Sequence, residues 1–218
     1  MSYIENIYIC LVAPLLIVVF CLKAEKKGQV LFLLGGMTAC LLSSYVTTYL
    51  AKYVAVYTMS DVYADTLITA IEIAPIVEEL MKFVPILFYI LAVAPKKDDI
   101  AERVLMVSVG FATFENVCYL ITNGSDDLAD LLIRGFGTGA MHVVCGMILA
   151  AGLVLLSDAV WLRAAGTLGL LAVAVTYHGV YNVLVAQTGV ARVIGFAIPL
   201  FTTLVVIISR KLVVRRIH

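Results

Sequence analysis

Charged residues are scarce in this sequence, and neither sign of charge is in excess. Of its 218 residues only 14% are charged, and 15 basic residues balance 15 acidic ones. A soluble globular domain has about 25% charged residues, and a nucleic-acid-binding domain carries a basic excess. Hydrophobic residues instead make up 63% of the chain, and the mean hydropathy is +1.07. This composition excludes a water-soluble domain, speaks against a nucleic-acid partner, and predicts a polytopic membrane protein.

The cysteines lack the spacing that is typical of disulfide-built proteins. No two of them form a CxxC pair, and all lie within apolar runs, at Cys10, Cys21, Cys40, Cys118 and Cys145. Thiols in such surroundings behave as small buried hydrophobes. We therefore expect them to have packing roles in membrane-embedded helices.

Seven apolar segments are long enough to cross a bilayer, which takes roughly 20 residues of helix. They cover residues 6–22, 29–50, 67–94, 102–122, 131–156, 161–187 and 192–210. The first has no Lys or Arg before it and no cleavage-site pattern after it, so we interpret it as a span and not as a signal peptide. Residues 51–66 are too polar for a span and are predicted to lie along the outer surface. The sequence predicts a single all-α domain over 1–218, a bundle of about seven transmembrane helices.

Lysine and arginine concentrate in one alternate set of loops. The richer side holds Lys23, Lys26, Lys27, Lys96, Lys97, Arg103, Arg163, Arg210, Lys211, Arg215 and Arg216. The opposite side holds Lys52, Arg134 and Arg192. Cytoplasmic loops carry the positive excess in membrane proteins. We therefore expect the N-terminus outside and the C-terminus in the cytoplasm, in a multi-pass protein of a bacterial cell membrane.

Polar residues interrupt the third to sixth predicted spans. They are Glu72, Glu78, Glu79, Lys82, Glu115, Asn116, His142, His178 and Asn182. One charged side chain at the bilayer centre costs about 2.5–3.5 kcal/mol, so such residues pair with one another or face water. At 1.5 Å of rise per residue, Glu78, Glu115, His142 and His178 all lie roughly 11–16 Å below the outer end of their spans. Four helices thus predict one shared, wetted pocket in the outer half of the membrane.

The helical positions of these residues indicate how the pocket is built. Lys82 lies one turn beyond the adjacent carboxylates Glu78 and Glu79 and is predicted to project between them. Pro75 precedes the pair by about one turn and could kink the helix open to water. His178 and Asn182 are four residues apart and share a face. Ahead of His142, a glycine-spaced stretch at positions 135, 137 and 139 predicts close helix approach.

The residue types point to hydrolysis by an activated water molecule. No serine is an obvious nucleophile, because Ser108 lies near the cytoplasmic end of its span and Ser43 and Ser44 share no predicted layer with a histidine. Cys145 fits a packed thiol better than a nucleophile. Carboxylates can act as general bases, and imidazole or amide groups can orient water and stabilise an oxyanion. This set predicts amide hydrolysis without a covalent intermediate.

Four motifs resemble those of the PrsW-type intramembrane protease family, which is related to the CAAX-protease and bacteriocin-processing superfamily. EIAPIVEELMKF, residues 72–83, resembles its EExxK motif. GFATFENVCYL, residues 110–120, is similar to its second motif, with Phe111, Glu115 and Asn116. His142 in MHVVCG and His178 in HGVYN match the third and fourth motifs, and the resemblance covers a core of about residues 70–185.

The resemblance implies an intramembrane endopeptidase that cleaves a membrane-anchored protein in regulated intramembrane proteolysis. For the type member this substrate is a single-pass anti-sigma factor, cut first on the extracytoplasmic side. CAAX-processing relatives have a histidine where this chain has Glu115 and act toward the cytoplasm, which argues against a prenylated substrate.

The roles expected from the match place Glu78 as general base, tuned by Glu79 and Lys82. Glu115 is expected to be a second acid, base or water-orienting group, with Asn116 beside it in support. We expect His142 to orient water or substrate, and His178 with Asn182 to donate to the oxyanion. Glu72 fits a residue at the mouth of the pocket.

The sequence leaves the need for a metal open. A catalytic zinc needs only three protein ligands, and Glu78, His142 and His178 would be the set. Against zinc, the chain has no HExxH motif, and the cation Lys82 stands where such a motif has its second histidine. The cofactor is therefore a divalent metal such as zinc, or none.

Two further interpretations compete with an enzyme. The polar residues could clamp the bundle as a non-catalytic scaffold or pseudo-protease subunit, since interhelical hydrogen bonds are common in membranes. Intramembrane Glu and His also suit an ion or proton transporter. Many transporters show inverted repeats with paired broken helices, whereas the seven segments here are unlike one another.

Overall fold

A computed structural model describes residues 24–58, 69–123, 128–155 and 160–217, and these ranges contain helices and short connections but no strand. The helices are α1 (Ala24–Thr58), α2 (Ala74–Val93), α3 (Lys97–Asn123), α4 (Leu128–Leu155), α5 (Val160–Val185) and α6 (Val190–Ile217). A π-helical turn, Thr69–Ile73, leads directly into α2. The predicted span 6–22 lies outside the described residues.

Four of the described helices are long and apolar enough to cross a membrane, which confirms a multi-pass helical protein. They contain the candidate spans Lys27–Tyr57, Lys97–Thr122, Ile133–Val154 and Val160–Val185. In α6 the apolar part, Val190–Val206, is shorter. In α2 two glutamates and a lysine place three charged side chains in an otherwise apolar helix.

The first described helix is longer than the sequence predicts. Residues 51–58 continue α1 as far as Thr58 instead of lying apart along the surface. No glycine or proline occurs between residues 37 and 58 to end the helix. Polar residues beyond an apolar stretch can stay helical because their backbone groups bond within the helix.

Helices α1 and α3 cross at very short distance through two glycines. A Cβ added at Gly36 would overlap the carbonyl oxygen of Val107, and one at Gly110 would overlap the carbonyl oxygen of Leu33. Small residues allow such backbone approach between membrane helices. This crossing holds α1 against the helix that carries Glu115.

Helix α4 packs against α3, α5 and α6 and is central to the described bundle. Its Gly146 faces the Ser108 hydroxyl of α3, and its Gly137 faces the Phe196 ring of α6. Of the glycine-spaced stretch, only Gly137 lies at such a contact, since a Cβ at position 135 or 139 would meet nothing within 4 Å. An apolar cluster that includes Ile86, Val104 and Leu149 fills the bundle on the side nearer the start of α3.

Pro75 lies in the first turn of α2, directly after the π-helical turn Thr69–Ile73. Because the helical backbone continues from Thr69, the missing N–H of Pro75 leaves a carbonyl of the preceding turn without its usual partner. The irregularity that precedes the paired glutamates is the π-helical turn Thr69–Ile73. Such turns are rare and frequently lie at functional sites.

We expect Gly36→Ala to lower the free energy of unfolding by about 1–3 kcal/mol, because the new methyl group would overlap backbone of α3. Gly169→Ala is the matched control, since a Cβ there meets nothing within 4 Å. The control should be neutral or slightly stabilising, as alanine is the better helix former. Equal stability of the two variants in detergent unfolding would contradict the close crossing.

Candidate active site

The paired glutamates of α2 have different surroundings. Glu79 is 3% exposed and its Oε1 accepts a hydrogen bond from Lys82 Nζ at 2.6 Å. The two residues are three positions apart, so they lie on the same face of the helix. Glu78, the preceding residue, turns toward a cavity, and its Oε2 has no hydrogen-bond partner in the described part of the chain.

Helix α5 brings His178 to both carboxylates. Its Nδ1 lies 2.8 Å from Glu79 Oε1, and its Nε2 lies 3.8 Å from Glu78 Oε2. A carboxylate is only an acceptor, so Nδ1 donates the bond to Glu79, and Nε2 faces Glu78. The next residue, Gly179, allows α5 to approach the π-helical turn, because a Cβ there would lie 3.2 Å from the Ile71 carbonyl oxygen.

Helix α4 contributes His142, whose side chain is fully buried. Its Nδ1 lies 3.0 Å from Lys82 Nζ, and its Nε2 is hydrogen-bonded to Glu115 Oε2. An ammonium group can only donate, so Nδ1 accepts and the Nε2 proton is donated to Glu115. The ring of His142 is perpendicular to that of His178, with centroids 5.2 Å apart.

Glu115 on α3 also has a cationic neighbour, Arg134, which the sequence did not place in the site. Its Oε1 lies 3.8 Å from Arg134 Nη2, and the guanidinium of Arg134 stacks 3.2 Å from the centroid of Tyr119. Arg134 was assigned to an outer loop because it begins the apolar part of its helix. Only the packing of α4 on α3 reveals the pairing.

A cavity of about 290 Å³ opens onto two of the carboxylates. It lies between α1, α2 and α3, and its lining is Cys40, Ser43, Ser44, Thr47, Thr48, Glu78, Phe114, Glu115 and Cys118. At roughly 30 Å³ of liquid per molecule, this space corresponds to about ten waters. Water and a short stretch of chain can therefore reach Glu78 and Glu115.

The structure brings six of the sequence-predicted residues together: Glu78, Glu79, Lys82, Glu115, His142 and His178. The two asparagines make other contacts. Asn182 Nδ2 donates to the carbonyl of Ala70 at 2.7 Å, and Asn116 Nδ2 donates to the carbonyl of Gly135 at 3.3 Å. Donation to an oxyanion by Asn182 would require its amide to leave this carbonyl. Glu72 is exposed and lies in the π-helical turn.

The donor set is compatible with a divalent metal ion. One ligand atom from each of Glu78, His142 and His178 lies within 4.8 Å of the others. Glu79 behind His178 is the kind of carboxylate that orients metal-binding histidines. Both ring nitrogens of His142 are engaged, so ligation would displace either Lys82 or Glu115. Lys82 itself is paired with Glu79, which weakens its repulsion of a cation.

Comparison with known proteins assigns the chain to a family. A family model described as PrsW family intramembrane metalloprotease matches residues 28–208. The match covers most of the 218 residues, and the chain belongs to this family. No curated protein and no solved structure matches the chain significantly.

We expect Lys82→Met to lower the free energy of unfolding by about 3–5 kcal/mol, because it leaves the buried Glu79 carboxylate without its cation. The double variant Glu79→Gln/Lys82→Met should lose less than the sum of the two single variants. Lys52→Met, at an exposed position of α1, is the control and should be nearly neutral. Strict additivity in detergent unfolding would show that the two side chains are not energetically coupled.

Proposed function

We propose that this PrsW family protein is an endopeptidase that uses Glu78 to activate water against a peptide bond of a membrane-anchored protein. The observation that carries the proposal is the state of Glu78. Its Oε2 is buried, lacks a hydrogen-bond partner among the described residues and lies 3.8 Å from His178 Nε2, and its side chain lines the cavity of about 290 Å³. A general base needs such a free oxygen within reach of a water molecule.

The neighbouring side chains have distinct roles in proton transfer, in water orientation and in positioning. Glu78 takes a proton from water as the oxygen attacks the scissile carbonyl carbon. His178 orients that water through Nε2, while Glu79 holds the ring by its bond to Nδ1. Glu78 then passes this proton to the leaving amine, and Glu115, the other carboxylate on the cavity, helps to orient the water. His142 links Glu115 to Lys82 and fixes its position.

The same residues would hold a divalent ion if the protein uses one. The ligands would be Glu78, His142 and His178. Such an ion, when bound, polarises water and the scissile carbonyl. With Glu78 as a ligand, Glu115 would be the cavity carboxylate left to accept the proton from water.

Sidedness follows from the distribution of basic residues and from helix contacts. We propose seven spans with the N-terminus outside and the C-terminus in the cytoplasm. The side chain of Arg103 lies against Gly28, so the basic starts of α1 and α3 are at the same end of the bundle. The cavity lies farther along both helices, which supports cleavage in the extracytoplasmic half.

The substrate class that fits is a single-pass membrane protein cut near its extracytoplasmic juxtamembrane segment. An anti-sigma factor, or a similar protein whose first cleavage starts a signalling cascade, is our proposal from the family resemblance. Because Glu78 and Glu115 stand within the helices and line the cavity, the scissile bond must reach a pocket within the membrane.

Glu78→Gln should lower proteolysis by about 100-fold or more, because a general base contributes roughly 10²–10⁴ in rate. The matched control is Glu72→Gln, which removes an exposed carboxylate on the preceding turn. Comparative membrane proteomics of cells expressing each variant would show one or more uncut single-pass proteins accumulating with Glu78→Gln alone. Identical membrane proteomes with wild type and Glu78→Gln would contradict the assignment.

If the site uses a divalent ion, elemental analysis of the purified protein should find about one ion per chain. His178→Ala should lose it, whereas Thr176→Val, an exposed position two residues earlier, should keep it. Chelator-treated protein that is metal-free and still cleaves would exclude the metal and leave Glu78 as the base.

A further inference from the structure

We infer that a row of hydroxyl side chains on α1 binds the unwound backbone of the substrate, over a segment with small side chains. The row consists of Ser43, Ser44, Thr47 and Thr48 and is called the α1 hydroxyl row below. The inference rests on the proposed function, because it assigns a substrate-binding surface to the same site.

Helical spacing places the α1 hydroxyl row on one face. Its members are at positions i, i+1, i+4 and i+5, which lie on adjacent strips of an α-helix. All four line the same cavity as Glu78 and Glu115. One wall of this cavity is therefore a hydrogen-bonding surface on α1, and the carboxylates stand on the walls formed by α2 and α3.

The hydroxyl groups have unused hydrogen-bonding capacity. Those of Ser43, Ser44 and Thr48 donate to carbonyls of their own helix, at 2.8, 2.7 and 2.7 Å. Each hydroxyl oxygen can still accept hydrogen bonds after donating its single proton. Thr47 Oγ1 is buried and has no partner in the ranges that the structure describes, so it is free to donate as well.

A substrate helix needs such partners at the moment of cleavage. Inside a membrane the backbone groups of a helix bond within the helix, which shields the scissile carbonyl. Unwinding frees N–H and C=O groups, and each unpaired group costs several kcal/mol in an apolar environment. The oxygens of the α1 hydroxyl row can accept from the freed N–H groups, and Thr47 can donate to a freed carbonyl.

The size of the cavity selects the segment. About 290 Å³ holds a short stretch of chain only if its side chains are small. Glycine also eases unwinding, and glycine, alanine and serine allow close packing.

Helix packing does not account for the α1 hydroxyl row. Hydroxyl groups that join membrane helices do so by bonds between helices. Here the hydrogen bonds of Ser43, Ser44 and Thr48 all stay within α1. The close contact of α1 with α3 is made elsewhere, by Gly36 and Gly110.

The test uses a synthetic single-span peptide with a Gly-Ala-Ser segment at the outer end of its span and a diazirine group beside it. In the Glu78→Gln protein, which cannot turn over the peptide, photocrosslinks should map to residues 40–48. A peptide with Leu-Leu-Leu in place of Gly-Ala-Ser should give at least tenfold less product. Crosslinks confined to other helices, or equal yields from both peptides, would overturn the inference.

The hydroxyl groups are tested by the triple variant Ser44→Ala/Thr47→Val/Thr48→Val. We expect the peptide concentration that gives half-maximal crosslinking to rise at least tenfold, with an unchanged or higher melting temperature because no interhelical bond is lost. Thr113→Val/Thr176→Val is the matched control, since these exposed hydroxyls also bond within their own helices but lie off the cavity. An unchanged half-maximal concentration in the triple variant would refute the row as a binding surface.

The two proposals fail in different ways. If wild-type protein never cleaves the peptide while hydroxyl-dependent crosslinking persists, the hydrolase proposal fails and the binding surface stands. If cleavage depends on Glu78 but neither crosslinking nor KM responds to the triple variant, the binding surface fails and the hydrolase proposal stands.

Discussion

The hydrogen bonds of the Lys82 ammonium group are the interactions on which this bundle depends. Lys82 is 3% exposed and donates to Glu79 within α2 and to His142 on α4, while Glu79 in turn accepts from His178 on α5. A lone charge at this depth would cost about 2.5–3.5 kcal/mol. Because each charged or polar partner needs the others, three helices are held in one register, and the site is assembled by the same bonds.

This arrangement separates the roles of two adjacent glutamates. One oxygen of Glu79 accepts hydrogen bonds from both Lys82 and His178, so this carboxylate holds the cluster together. Glu78 is excluded from those bonds by its helical position and faces the cavity. Glu78 thus keeps an oxygen without a hydrogen-bond partner in a buried place beside a structural ion pair.

The common level of the polar residues along their helices could be predicted from the sequence, because the rise per residue of an α-helix is nearly constant. That regularity is enough to bring Glu78, Glu115, His142 and His178 to one level. Lateral pairing could not be predicted in the same way. Lys82 was expected to project between the two carboxylates, yet its hydrogen bonds go to Glu79 and to His142 on another helix. Side-chain direction is decided by the neighbouring helices, and one helical wheel contains no information on them.

Polar residues without charge were the weakest signal in the sequence. From the sequence, Ser43 and Ser44 are candidates only for a nucleophile, and poor ones. The predicted span that contains them ends at residue 50, whereas α1 continues to Thr58. The cost of one hydroxyl in a membrane helix is small because it can bond to its own backbone. The same bond leaves the oxygen able to accept, so a row of back-bonded hydroxyls beside a wet cavity is stable before a substrate arrives and can still receive one. Charged residues are stable in the bilayer only when they pair, so their positions in the sequence indicate a site. Hydroxyl groups are stable there without a partner on another helix, so their positions in the sequence do not.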